Sequence, residues 1–164
     1  MLRSNGTVIL ALGNDILGDD GVGFHAARSL REEFPEGVDV IETGEAGLAL
    51  LDHLEGYDRA IILDAIATGR VAPGTVLVWG REDFHKITAP SPHFSGLPDL
   101  IGLAECVGMH FPKDLRVLAM EVADPTQFRE TLTDTVKQAL PFLVGEAKRV
   151  LAQWGHGAPC TSTP

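Results

Sequence analysis

Asp20, Asp64 and His93 are the side chains best placed to do chemistry. Each lies beyond a segment that reads as a β-strand, where that segment gives way to a loop or helix, His93 in the irregular stretch after the fourth strand. In an open parallel sheet those are the ends at which ligands bind, so a carboxylate/carboxylate/imidazole site is expected there. One imidazole nitrogen and two carboxylates suit a borderline divalent ion such as nickel or zinc, and leave open positions for water or substrate groups. A metal so held polarises a carbonyl and lowers the pKa of bound water, with one carboxylate as base. The same aspartates also suit an acid pair that shares a proton without resident metal. The sequence leaves both chemistries open.

Residues 13 to 23, GNDILGDDGVG, lie between a strand and a helix. Gly13 and Gly18 supply the backbone angles of a tight turn, and Asp19 and Asp20 meet the positive end of the following helix. Only one of them makes an ideal cap, which frees the other to face a ligand. A phosphate loop is discounted, because paired aspartates repel phosphate and the G-x-G-x-x-G spacing is absent. Asp64 closes the run RAIILD, and a carboxylate there is costly to bury unless it is paired, capped or metal-bound. Its competing role is to start a turn over residues 65 to 69. His93 follows two prolines in APSPHFSG. His25, five residues past Asp20, is a further candidate for the same cleft, whereas His53, His85 and His110 show no partner in the sequence.

The elements that must position these groups alternate. Strands are expected at residues 7 to 12, 38 to 41, 59 to 64, 75 to 79 and 115 to 122, with apolar, β-branched runs typical of strands covered on both faces. Helices are expected at 20 to 34, 48 to 54 and 97 to 109, and from Thr133, as hydroxyl cap, to about Trp154 with a kink or split at Pro141. Val22, Ala26, Leu30 and Phe34 form the buried stripe of the first helix. Residues 81 to 96 read as a long functional loop. Strands alternating with helices imply an α/β fold with a largely parallel five-stranded sheet and helices on both faces. One domain is expected over residues 1–154, with a loose tail over 155–164.

Composition narrows the function further. The chain has 164 residues, 45% hydrophobic and 22% charged, which suits one soluble globular domain. A net charge of -10 with no basic cluster argues against nucleic acid as a partner. No apolar run approaches the roughly 20 residues of a membrane span, and the opening segment does not read as a secretory signal. A cytoplasmic location is expected. Cys106 and Cys160 lack metal-knuckle or redox spacing and read as free thiols, Cys106 packing within a helix. No G-x-S-x-G turn is present.

Taken in order, GNDILGDDGVG, ETGEAG, IILDAI and SPHFSG, with the weaker LTDTV before the last helix, resemble the maturation endopeptidases of nickel-iron hydrogenases. The likeness runs from about residue 7 to 150. It implies a three-layer α/β/α sandwich around a twisted, mostly parallel sheet, of the phosphorylase/hydrolase-like kind. It also implies a metal site formed by Asp20, Asp64 and His93, and removal of a C-terminal peptide from the hydrogenase large-subunit precursor once nickel is inserted. The metal would be the nickel of the substrate, with zinc able to substitute, and the protease monomeric. Two departures stand out: Glu45 where the family commonly has threonine, and Val122 rather than proline after Glu121. Two other classes remain: a non-catalytic module that holds nickel or docks on the large subunit as a chaperone, and a small-molecule hydrolase on a similar sheet.

Overall fold

Why the strands form where they do is visible in their burial. In the computed structural model, which describes residues 6 to 34, 36 to 86, 91 to 94 and 96 to 157, β1 (Thr7–Leu12) is buried at every position. Its alternate side chains enter two separate cores, Ile9 and Ala11 on one face and Val8, Leu10 and Leu12 on the other. A strand walled on both faces needs apolar residues throughout, which explains the unbroken run. β2 (Val38–Thr43), β3 (Arg59–Ile66), β4 (Val76–Gly80) and β5 (Asp114–Glu121) complete one sheet of order β2-β1-β3-β5-β4. All neighbouring pairs are parallel except β4 with β5. Residues 67 to 75 are too few for a crossover helix, so β4 returns antiparallel on the outer edge.

Two helices cover each face. α1 (Val22–Glu33) and α4 (Asp134–Gln153) pack over one, while α2 (Ala49–Leu54) and α3 (Leu97–Cys106) pack over the other. The expected stripe of α1 is buried throughout. The chain therefore leaves β1 toward one face and reaches β3 from the other, which makes the carboxyl ends of β1 and β3 a topological switch point.

Several boundaries differ from the sequence reading. β3 continues to Ile66 because its pairing with β5 continues, Asp64 opposite Ala119 and Ile66 opposite Glu121. Asp64 is thus inside the strand rather than beyond it. Arg81–Lys86, read as loop, forms a 3₁₀ helix that buries Phe84. α3 stops at Cys106, short of residue 109, because Gly108 takes a left-handed conformation and the Met109 N–H turns back to the Ala104 carbonyl. Cys106 is consequently exposed rather than packed. α4 runs unbroken through Pro141, whose place on the solvent face leaves the unbonded carbonyl a turn earlier open to water. No described helix is long and apolar enough to cross a membrane. Cys160 and most of the expected tail lie outside the described residues.

Candidate metal centre

Asp20 belongs to a 3₁₀ turn, Gly18–Gly21, between β1 and α1. Two glycines let that turn lie against the strand ends. A Cβ on Gly13 would meet the Asp20 carbonyl oxygen at 2.2 Å, and one on Gly23 would meet the Leu63 and Leu12 carbonyls at 2.8 and 3.0 Å. Backbone clashes of that size admit no side chain, so both positions require glycine. The result sets Asp20 beside the end of β3.

Asp64 is completely buried, and the period of the strand turns it to the face of α2 and α3, between Ile62 and Ile66. One carboxylate oxygen accepts the Ala65 N–H at 2.8 Å and the other accepts the Ser91 hydroxyl in a short hydrogen bond. Ser91 also accepts the His93 N–H at 3.1 Å, so one buried hydroxyl positions two members of the trio. The imidazole Nε2 of His93 lies 3.3 Å from Asp20 Oδ2, with both side chains largely buried. One ligand atom from each of Asp20, Asp64 and His93 lies within 4.8 Å of the others. Groups 44 and 29 residues apart along the chain therefore converge on one point at the switch.

The electrostatics of that point are unbalanced. Burial pushes the Asp64 carboxyl up to about 7, against the Ser91 hydroxyl, the His93 ring and the Ala65 N–H, which favour its ionised form, while Asp20 raises it further. His93 is shifted upward, first by its bond to Asp20 and against desolvation, with help from the charges of Asp64 and Asp20 and from the backbone carbonyl of Glu45. Two carboxylates share one imidazole in a dry setting, which is the arrangement a divalent cation relieves. The donor set fits a borderline metal, and Asp20, Asp64 and His93 are the residues that would hold it.

The other candidates separate cleanly. Asp19 is buried and caps a helix, though not the one that follows it: its two oxygens accept the N–H and hydroxyl of Thr133 at 2.7 and 2.8 Å, at the start of α4. The Thr133 hydroxyl donates to Asp19 and makes no cap bond to α4, contrary to the sequence reading. Glu45 points away from the trio and bonds His53 at 2.5 Å and the Thr43 hydroxyl at 3.2 Å. Glu121 accepts the Thr68 N–H, the Thr68 hydroxyl and the Gly69 N–H, tying down the loop after β3. His110 pairs with Asp58, and His25 lines a groove with Arg129 and Lys137. Ser91 is the positioning residue that sequence reasoning missed. Its only trace was its place two residues before His93.

Comparison with known proteins gives the family. A family model described as HycI, hydrogenase maturation protease, matches residues 24–150. Hydrogenase 2 maturation protease of Escherichia coli K12 is 30% identical over 152 residues, covering 90% of this chain and 92% of the relative. The solved structure of hydrogenase maturating endopeptidase HybD from E. coli matches with a TM-score of 0.82 at 26% identity, covering 96% of this chain and 99% of that one. NiFe hydrogenase maturation protease HybD from Thermococcus kodakarensis matches with a TM-score of 0.70 at 31% identity, covering 88% and 98%. With a family match over most of its length and an architecture to fit it, this chain belongs to the hydrogenase maturation protease family.

Proposed function

We propose that this protein is the endopeptidase that removes the C-terminal extension of a nickel-iron hydrogenase large-subunit precursor after nickel insertion, with Asp20, Asp64 and His93 as its working residues. The observation that carries the reading is the convergence of three ligand atoms, from two carboxylates and an imidazole, within 4.8 Å at the switch point of the sheet. Nickel enters as part of the substrate: the trio offers donors to the ion that a loaded precursor carries, which makes the bound ion a signal of readiness. Asp20, Asp64 and His93 would hold a divalent ion whose chemistry would be Lewis-acid polarisation of the scissile carbonyl and acidification of a water.

The chain's own residues supply positioning and proton handling. Ser91 fixes Asp64 and the His93 backbone together, and the Glu45 carbonyl favours the tautomer that leaves Nε2 directed at Asp20. Asp20 and Asp64 are the carboxylates close enough to take a proton from the attacking water and return it to the amine of the departing peptide. The buried setting excludes bulk water from that exchange.

The reading is tested by mass spectrometry of precursor incubated with the purified protein, with and without nickel. Loss of a C-terminal peptide from the loaded precursor alone is the expected result. A stable complex with an intact precursor would instead favour a docking chaperone.

A further inference from the structure

We propose that Ile16, Leu48 and Phe128 form an apolar docking rim for the folded body of the large-subunit precursor, an inference that rests on the processing reading above. Scattered exposed apolar side chains need no explanation. These three are not scattered. Ile16 is 55% exposed, Leu48 64% and Phe128 79%, and each lies on a connection leaving the carboxyl end of a strand: β1, β2 and β5 respectively.

Two of them are neighbours by construction. Arg129 donates its N–H to the Ile16 carbonyl at 3.0 Å and accepts the Gly18 N–H at 2.7 Å, pairing Leu17 with Arg129 in a parallel bridge. Ile16 and Phe128 each precede that bridge by one residue, so they stand side by side at about the 5 Å spacing of paired strands. The ladder ends at Gly18, where the turn carrying Asp20 begins. Asp19 fastens the same strap to the start of α4 through Thr133. The patch is therefore preformed and rigidly linked to a proposed ligand.

Leu48 lies on another connection, between β2 and α2. The β2 end is joined to the first turn through the Gly13 N–H and Thr43 carbonyl, and Glu45, three residues before Leu48, meets His93 through its carbonyl. Anchors on three separate connections around one buried trio call for a surface rather than a single extended peptide. A large exposed aromatic with aliphatic companions is the chemistry of an interface centre, and the Arg129, Glu130 and Lys137 groove beside it supplies a polar rim. Binding carried by apolar contact depends little on salt.

The test measures the dissociation constant of full-length protein for immobilised nickel-loaded precursor. Ile16→Ser/Phe128→Ser is expected to weaken binding by about ten-fold or more, and Leu48→Ser by about three-fold. A control pair on outward helix faces, Leu103→Ser/Phe142→Ser, should stay within about two-fold. Zinc affinity of the trio, measured on the same variants, should not move. Rim variants that bind like wild type, or a control that weakens equally, overturn the proposal, as does binding that collapses with added salt. If the wild type binds with this rim dependence yet never cuts, the processing reading fails and the docking surface stands. If it cuts with an unchanged KM in the rim variants, the reverse holds.

Discussion

Two carboxylates are buried on the same face of the sheet, at the ends of adjacent strands, and their surroundings could hardly differ more. Glu121, closing β5, receives three donors from Thr68 and Gly69. Asp64, two rungs deeper on β3, receives two donors, lies against a second carboxylate, and is driven up to about 7 by desolvation. Burial alone does not mark a functional acid. What separates the two is whether the surrounding donors match the charge, and at Asp64 burial outweighs the two donors and the nearby imidazole.

The comparison breaks most readily by substitution. Asp20→Ala, Asp64→Ala and His93→Ala are each expected to lower precursor processing by at least about a hundred-fold while leaving thermal unfolding cooperative. Wild-type cleavage in any one of them removes that residue from the site. Glu121→Ala should do the opposite, costing roughly 2 to 4 kcal/mol of stability through three stranded donors, with zinc affinity per folded molecule little changed. Denaturant titration and calorimetric metal binding on the same sample check both halves. Were Glu121→Ala to lose metal and keep its stability, the roles would be exchanged.

Smaller effects sharpen the picture. Ser91→Ala should weaken metal binding by about ten-fold, since the hydroxyl holds both Asp64 and the His93 backbone. The pH dependence of the metal-free protein is a further measure. The Asp64 carboxyl is raised in the folded state, so its contribution to stability is complete below the unfolded value near 4 and is lost as pH rises through about 7. The Tm of Asp64→Asn relative to wild type should therefore climb by a few degrees between about pH 5 and pH 8. A flat difference would mean that Asp64 is as well compensated as Glu121. His85→Ala, on the exposed 3₁₀ helix after β4, should change neither activity nor Tm measurably.

The layers of the fold were legible because doubly covered strands demand runs such as TVILAL and RAIILD, and because α1 carries a four-residue apolar repeat. Of the trio, Asp64 was legible for a related reason, a carboxylate set directly on an apolar run. Asp20 stood out in its glycine turn, and His93 only through the order of motifs around it. What escaped was partnership at a distance. Asp19 finds Thr133 114 residues away, and no local rule joins an acid in one turn to the cap of a helix at the other end of the chain. Glu45 finds His53 across the start of α2, which turns an apparent extra site carboxylate outward. Boundaries slipped where tertiary pairing prevailed, as in β3, whose ladder with β5 carries on past Asp64. Cys106 was misjudged because its helix ends on it and leaves it outside.

Nickel-edge anomalous diffraction from crystals of the protein soaked in nickel chloride tests the central claim most directly. One strong peak within about 2.0 to 2.3 Å of a carboxylate oxygen of Asp20, one of Asp64 and Nε2 of His93 is the predicted result. A peak that engages only one of the three, or that lies elsewhere on the molecule while this cluster stays empty, would contradict it.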